Sequence, residues 1–127
     1  MATRKQVQPV PTMSNDEIKK TMMSPLSQEY LESLLKMPDP PFLVIIYFTA
    51  KWCRPCNNVN LERVVNFRKD VQWMLCDVDE NGYSFGYCQG KAIPSWLAIV
   101  RGKAQPLVQL SSDLDICKWL QGLPKLG

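Results

Sequence analysis

Apolar runs alternate with amphipathic stretches along most of this chain. The runs 42–49 and 71–78 are rich in aliphatic, β-branched and aromatic residues, which predicts two buried strands. Apolar side chains recur at helical spacing elsewhere, which predicts helices over about 25–37, 56–69 and 113–121. Because a strand, a helix and a second strand follow one another, we expect a parallel strand pair and an α/β core.

Prolines, glycines and capping residues predict where these elements begin and end. Ser24-Pro25 offers an N-cap and a first helical residue, and residues 17–23 before it predict an edge strand. Asn81-Gly82 predicts a turn, followed by a glycine-punctuated segment that runs to Gly90. We therefore expect the sheet to begin at an edge strand near residue 17.

The last third of the chain predicts an antiparallel addition to the sheet. The strand-like runs 95–100 and 105–110 flank Arg101-Gly102, which predicts a hairpin. Residues 1–16 carry two prolines among polar residues without a sustained period, and they predict a mobile N-terminal arm. Residues 17–127 then form one domain.

The composition suits a single soluble globular domain. The 127-residue chain is 46% apolar and 21% charged. Its formal charge of +3 is too small to predict nucleic-acid binding. The longest apolar stretch, about ten residues from Pro41 to Ala50, is half of what a membrane span requires. We therefore expect a monomer that binds neither nucleic acid nor membranes.

Cysteine usage bears on the cellular compartment. The chain has five cysteines, an odd number, which favours a reducing environment. We therefore expect the cytoplasm. Residues 1–15 contain Arg4 and Lys5 but no acidic residue, which leaves a transit segment and the mitochondrial matrix as the alternative.

The segment Cys53-Arg54-Pro55-Cys56 follows Trp52 where the first predicted strand becomes a helix. Proline is tolerated in a first helical turn and residues three apart share a helix face, so the two thiols can close a disulfide with little backbone movement. Unpaired N–H groups at the helix N-terminus, and the positive charge of Arg54, favour a thiolate on Cys53. We therefore expect Cys53 to be a nucleophile.

The same cysteine spacing also forms half of a structural zinc site, which needs a second pair of ligands. The chain has no histidine, and its other cysteines are scattered singly at positions 76, 88 and 117. We therefore predict a redox pair and no metal. Loss of stability on chelation would restore the zinc interpretation.

Three motifs in this order resemble the thioredoxin family: Phe48-Thr-Ala-Lys-Trp-Cys-Arg-Pro-Cys56, Asp77-Val-Asp-Glu-Asn81 and Ala92-Ile-Pro-Ser95. The resemblance covers about residues 17–123 and implies a thioredoxin fold, a central mixed β-sheet flanked by helices. In that family the proline matching Pro94 follows a cis peptide bond beside the nucleophile. The resemblance implies that Ile93 and Pro94 form a docking edge for substrate, supported by Trp52, Arg54 and Pro55.

The chain also departs from the family pattern. Thioredoxins usually carry a buried Asp six residues before the nucleophile and a Lys on the neighbouring strand, but these positions hold Tyr47 and Leu75. Arg54 stands where Gly is usual, the proline expected to kink the helix is Leu61, and a glycine expected before the last helix is Leu110. Tyr47 is therefore a candidate for proton transfer but a poor base, because an unperturbed tyrosine has a pKa of about 10.

The resemblance implies a thiol–disulfide oxidoreductase. Cys53 would attack a substrate disulfide, and Cys56 would then attack the mixed disulfide and release the reduced substrate. It further implies disulfide-containing protein substrates, no cofactor, and an upstream thiol reductant that is either a thioredoxin reductase-like enzyme or another dithiol.

Two other functions remain open. The same fold can serve as a docking module whose thiols do not turn over, with Trp52 as an aromatic anchor beside Lys51 and Arg54. A glutathione-linked, glutaredoxin-like activity would use Lys51 and Arg54 for carboxylates, although the Trp-Cys-x-Pro-Cys context is more similar to thioredoxin.

The remaining cysteines and tryptophans predict packing. Cys76 lies on a predicted strand and Cys117 on the apolar side of the last predicted helix, so both are expected to be inert. Cys88 precedes the segment that leads to Pro94, and regulatory oxidation remains open there. The other tryptophans are expected in the core or at its edge, at positions 73, 96 and 119.

Overall fold

A computed structural model describes residues 12–38 and 42–126. These residues form a five-stranded sheet with helices on both faces. The strands are β1 (Ser24–Pro25), β2 (Leu43–Thr49), β3 (Val71–Asp77), β4 (Ser95–Val100) and β5 (Lys103–Ala104). The helices are α1 (Asn15–Thr21), α2 (Gln28–Lys36), α3 (Arg54–Asn57), α4 (Leu61–Phe67), α5 (Gly82–Tyr87) and α6 (Asp113–Gln121).

Strand β2 is the centre of the sheet, whose strand order is β1-β3-β2-β4-β5. It pairs with β3 in parallel, from Leu43 opposite Val71 to Thr49 opposite Asp77. It pairs with β4 in the antiparallel sense, with Tyr47 opposite Trp96. All seven residues of β2 are buried, as its apolar, β-branched composition predicts. The predicted mixed sheet flanked by helices is confirmed.

The sheet separates two apolar layers, because alternate residues of a strand point to opposite faces. One layer packs α1, α4 and α6 against Ile45, Tyr47, Trp73 and Trp96. The other packs α2 and α5 against Val44, Ile46, Phe48 and Met74. The packing roles predicted for Trp73 and Trp96 are therefore confirmed, and half-buried Trp119 lies at the edge of the first layer.

The N-terminal part of the domain differs from the prediction. Residues 15–21 form helix α1, so the predicted edge strand over 17–23 is wrong. Ser14 and Glu17 make a capping box, in which the Ser14 hydroxyl accepts from the Glu17 N–H and the Glu17 carboxylate accepts from the Ser14 N–H. Ile18, completely buried, anchors this helix to the core. Of the predicted arm, residues 1–11 lie outside the described residues, and Asn15 and Asp16 belong to α1.

Ser24 and Pro25 also have a different role from the predicted one. They form the short strand β1, with Ser24 opposite Met74 and Pro25 opposite Leu75 on β3. Helix α2 begins three residues later than predicted, because Ser27 is its N-cap and accepts from the Tyr30 N–H at 3.1 Å. Proline suits β1 because an edge strand leaves one side of its backbone without ladder bonds.

The predicted helix over 56–69 is interrupted. Helix α3 ends at Asn57, and α4 begins at Leu61 behind a new N-cap, Asn60, whose side chain accepts from the Arg63 N–H at 3.1 Å. The Asn60 N–H in turn donates to the Asp113 carboxylate at 2.8 Å. A capping side chain therefore divides the helix where the family pattern led us to look for a proline.

Two other stretches also differ from their predicted structure. Residues 82–87 form helix α5 with Asn81 as N-cap, where a turn and an irregular segment were predicted. The turn predicted at Arg101-Gly102 is confirmed, with positive φ at both residues, but its second strand is only β5 and a single bridge from Trp96 to Val108. In the last helix, Leu114 is 60% exposed.

A buried arginine holds the C-terminal segment against the rest of the domain. Arg68 is only 6% exposed. Its guanidinium makes two 2.8 Å bonds to the Asp70 carboxylate and donates to the carbonyls of Leu120, Leu123 and Pro124 at 2.8–3.1 Å. The bond from Arg68 holds the pKa of Asp70 below its usual value. Within the described ranges, no helix is long and apolar enough to cross a membrane.

Arg68→Met is expected to lower the free energy of unfolding by about 2–4 kcal/mol, because it leaves several carbonyls without a donor. Urea denaturation at pH 7 measures this. The matched variant Asp70→Asn should cost less, because the Asp70 side chain is 42% exposed and its carboxylate can be solvated.

The difference between wild type and Asp70→Asn should also depend on pH. Because the folded-state pKa of Asp70 is lowered, its contribution is fully present above the unfolded pKa of about 4 and is lost as the pH falls through the folded value. A pH-independent difference would contradict the assigned ion pair.

Candidate functional site

The end of β2 delivers the two cysteines to the start of a helix. After Thr49 the chain turns, and the Cys53 N–H donates to the Ala50 carbonyl at 3.2 Å. Cys53 is the N-cap of α3, and its Sγ accepts from the Cys56 N–H at 3.2 Å. Pro55 lies in the first turn, where its missing N–H costs no hydrogen bond. A sulfur thus occupies the position that a Ser or Asp oxygen usually takes at a helix N-terminus.

Cys53 and Cys56 form a disulfide with their Cα atoms 5.2 Å apart. Both residues are nearly enclosed, with 3% and 2% of their surface exposed. Ala50 is buried with them, and Val78 and Ile93 pack against the cluster. The disulfide therefore lies in an apolar setting built from three separate segments of chain.

The segment before β4 approaches the disulfide from the side. The Ile93–Pro94 peptide bond is cis. Ile93 is half-buried against the cysteine cluster, and Pro94 is buried. The structure therefore brings the two predicted docking residues to the cysteines, although they are about forty positions apart in sequence.

The residues that flank the disulfide on the outside are exposed. Trp52 is 66% exposed, and its indole N–H donates to the Asp79 carboxylate at 2.8 Å. Arg54 and Pro55 are also exposed. Asp79 belongs to the motif Asp77-Val-Asp-Glu-Asn81, but no role was predicted for it. That motif lies at the turn after β3, and this position was the signal that could have placed Asp79 near Trp52.

Tyr47 lies beneath the cysteines rather than beside their sulfurs. Its ring is completely buried and stacks on Trp96 with centroids 4.2 Å apart. Its hydroxyl is 3.5 Å from the Cys56 carbonyl oxygen, at the limit of a hydrogen bond. Burial raises the pKa of Tyr47, so the phenol is neutral near pH 7. The register that places Tyr47 opposite Leu75 leaves no carboxylate–lysine pair at these two positions.

The three other cysteines are free thiols away from the disulfide. Cys76 and Cys117 are buried, as predicted, and Cys88 is half-buried. Burial raises the pKa of Cys76 to about 12 and that of Cys88 to about 11, and it also raises the pKa of Cys117. All three are therefore protonated and weakly nucleophilic at neutral pH.

Comparison with solved structures identifies the fold. Thioredoxin from Fasciola hepatica superposes with a TM-score of 0.68 at 24% sequence identity, covering 78% of this chain and 97% of that one. Oxidized mitochondrial thioredoxin 3 from Saccharomyces cerevisiae gives a TM-score of 0.68 at 22% identity, covering 81% and 97%. The chain is a thioredoxin-fold protein.

Sequence comparison adds a partial match to the same kind of protein. Thioredoxin-3, mitochondrial, from Saccharomyces cerevisiae is 31% identical over 67 residues, which are 51% of this chain and 50% of that protein. The chain thus matches about half the length of this curated relative. No protein-family model matches the sequence. The thioredoxin fold that the motifs implied is confirmed.

The free thiols of this thioredoxin-fold protein should resist alkylation at neutral pH. With a pKa of about 11, roughly one Cys88 in a thousand is a thiolate at pH 8. A short iodoacetamide pulse on the reduced protein, read by peptide mass spectrometry, should label Cys88 and Cys76 slowly. Labelling of Cys88 should rise about tenfold per pH unit below its pKa. Labelling at pH 8 as fast as a free model thiol would contradict the assigned burial.

Proposed function

We propose that this protein is a thiol–disulfide oxidoreductase that works through the Cys53–Cys56 pair. The observation that carries the proposal is the position of the disulfide, which joins the N-cap of α3 to a residue of its first turn. After reduction, the Cys53 sulfur remains where the Cys56 N–H and the helix dipole stabilise a negative charge. Cys53 is therefore suited to be the attacking thiolate.

The exchange follows from this arrangement in two steps. The Cys53 thiolate attacks a substrate disulfide, forms a mixed disulfide and expels one substrate thiolate. Cys56 then loses its proton and attacks the Cys53 sulfur, which restores the Cys53–Cys56 bond and expels the second substrate thiolate. Two electrons pass from the protein to the substrate, and an external thiol reductant must return them.

The surface around the disulfide supports a protein substrate. Ile93 and cis Pro94 border the cysteine cluster and offer backbone to an extended segment, and exposed Trp52 supplies an aromatic contact beside Arg54 and Pro55. We propose disulfide-containing proteins as substrates and a thioredoxin reductase-like enzyme or another dithiol as the reductant. The similar yeast protein is named as mitochondrial, which supports the matrix as an alternative to the cytoplasm.

A docking module without turnover is the second candidate function. The observation that favours it is the contrast between two cysteine residues that are at most 3% exposed and a neighbouring tryptophan that is 66% exposed. A partner could bind Trp52 without reaching either sulfur. The two functions differ in whether binding requires Cys53.

Cys56→Ser is expected to trap a mixed disulfide, because attack by Cys53 is retained while resolution is lost. Insulin is the test substrate, added to the pre-reduced protein after the reductant has been removed, and non-reducing electrophoresis measures the trapped species. Cys53→Ser should form no adduct, and Cys88→Ser should behave as wild type. No adduct with Cys56→Ser, together with partner binding that survives in Cys53→Ser, would favour the docking module.

Arg54→Gln is expected to lower the reduction potential of the Cys53–Cys56 couple, because the positive charge stabilises the thiolate of the reduced form. Arg54 is exposed, so the shift should be about 20 mV or less at low salt and should shrink as salt is added. Equilibration with glutathione buffers measures the potential. Arg54→Lys, which keeps the charge, should stay near wild type; a rise in Arg54→Gln would refute the charge argument.

A further inference from the structure

The helix that carries Cys56 is a single turn that does not continue into α4. In an unbroken helix each N–H donates to the carbonyl four residues before it. The N–H groups of Asn60, Leu61 and Arg63 would then donate to the carbonyls of residues 56, 57 and 59. Each of these three N–H groups donates to a side chain instead. We call residues 58–60, which separate the two helices, the junction.

Asn15, the first residue of α1, reaches the junction with both ends of its side-chain amide. Its Oδ1 accepts from the Leu61 N–H at 3.0 Å, and its Nδ2 donates to the Val59 carbonyl at 2.7 Å. The same Nδ2 lies 3.5 Å from the carbonyl oxygen of Asn57, the last residue of α3. The Oδ1 thus takes the place of the Asn57 carbonyl, and the Nδ2 takes the place of the Arg63 N–H.

Asp113, the first residue of α6, supplies the third bond from another side of the junction. Its Oδ1 accepts from the Asn60 N–H at 2.8 Å, where a continuous helix would use the Cys56 carbonyl. The Cys56 carbonyl accepts from the Val59 N–H at 3.2 Å instead. The chain that follows Cys56 is therefore tied to α1 and α6 by side-chain bonds that replace those of a continuous helix.

Val59 connects these bonds to Cys56. Its side chain is 1% exposed and packs in the layer that contains α1, α4 and α6. Its carbonyl is held by Asn15, and its N–H is bonded to the Cys56 carbonyl. Because Val59 is fixed through its side chain and both of its backbone groups, it limits how far Cys56 can move.

This support matters most when the disulfide is open. In the closed form the Cα atoms of Cys53 and Cys56 are 5.2 Å apart. Once the bond is broken, residues 54–57 keep only the bonds of a four-residue helix, and a helix this short is marginal without external contacts. Bonds to the rest of the domain reduce the number of conformations of the open segment. They therefore raise the effective concentration of one sulfur at the other.

We propose that Asn15 and Asp113 are positioning residues that hold Cys56 beside Cys53 for closure of the disulfide. The inference rests on the proposed oxidoreductase function. In the closing step the Cys56 thiolate attacks the Cys53 sulfur of the mixed disulfide, the Cys53–Cys56 bond forms, and the substrate sulfur leaves as a thiolate with the electron pair of the broken bond. Asn15 and Asp113 act only on the backbone that follows the attacking residue.

The test separates attack by Cys53 from closure by Cys56. The reduced protein is mixed in a stopped-flow instrument at pH 7 with an aromatic disulfide whose released thiol absorbs visible light. The first thiol is released when Cys53 attacks, and this rate depends on reagent concentration. The second is released when Cys56 closes the ring, and this rate does not.

Asn15→Ala and Asp113→Ala should each slow the second release by about threefold to tenfold, the factor that corresponds to the loss of one hydrogen bond. The first release should keep its wild-type rate. In glutathione buffers the equilibrium constant for closing the disulfide should fall by a similar factor in each variant, so the reduction potential should rise. A role in overall stability alone would not move this potential.

Conservative variants test the individual bonds. Asp113→Asn keeps an oxygen that can accept from the Asn60 N–H, so it should close the ring at nearly the wild-type rate. Asn15→Asp keeps the acceptor for the Leu61 N–H but loses the donor to the Val59 carbonyl, so closure should remain slow. If Asn15→Ala does not fold, the two Asp113 variants decide the question.

Two matched controls lie on the same helices. Thr21→Val removes the 2.7 Å bond from the Thr21 hydroxyl to the Glu17 carbonyl, toward the other end of α1. Asp115→Asn removes another carboxylate from the first turn of α6. Within the described ranges neither side chain bonds to the junction. Both variants should show the wild-type closure rate and potential.

The outcomes distinguish this proposal from the proposed function. A wild-type closure rate in both Asn15→Ala and Asp113→Ala would overturn the positioning role and leave the oxidoreductase intact. Equal slowing in Thr21→Val and Asp115→Asn would also overturn it, because the effect would then follow the stability of α1 and α6 in general. No second release from the wild-type protein would instead reject the oxidoreductase function.

Discussion

The double pairing of β2 is the constraint on which the rest of the structure depends. Leu43–Thr49 is hydrogen-bonded on both edges and buried on both faces, so its side chains enter both apolar layers. Its alternating side chains divide the apolar residues between two layers, and its parallel partner β3 places Asp77 and Asp79 at the same end of the sheet as Thr49 and the cysteines. The strand therefore determines both where the core lies and where the chemistry lies. Because the carboxyl end of β2 leads into α3, any shift in the register of β2 would move the disulfide relative to Ile93 and Asp79.

The disulfide combines a local arrangement with a tertiary one. The N-cap bond from the Cys56 N–H to the Cys53 sulfur needs only the four residues 53–56, and it would form in any helix that begins there. The apolar surroundings of the sulfurs need Val78 and Ile93, which arrive from β3 and from the segment before β4. The first arrangement favours the thiolate and the second limits access to it. An oxidoreductase needs both, because a thiolate without a shaped surface reacts with any disulfide that reaches it.

Two of the departures from the thioredoxin pattern, Tyr47 and Leu75, fall together in the sheet. They are opposite each other in the ladder, and Thr49 and Asp77 form the next pair on the same face. The place where a buried carboxylate was expected is thus filled by an aromatic ring that stacks on Trp96, with only its hydroxyl directed at the cysteines. A similar redistribution occurs at the helix, where the Asn60 cap and its bond with Asp113 divide α3 from α4 without a proline. In both places a different set of side chains satisfies the same geometric requirement.

The sequence by itself determined the features that depend on neighbours along the chain. The apolar run of β2, the Cys-x-x-Cys spacing and the Arg101-Gly102 turn are local signals, and together with the three motifs they were enough for the fold and for the two cysteines. The capping box formed by Ser14 and Glu17 is an equally local signal for a helix. It was missed because residues 17–23 were predicted to form an edge strand. Only the tertiary structure decided that Arg68 is buried against the C-terminal carbonyls and that Asp79 binds the Trp52 indole. Those features join residues from separate elements, and a one-dimensional pattern does not say which distant side chains will share a space once the sheet has formed.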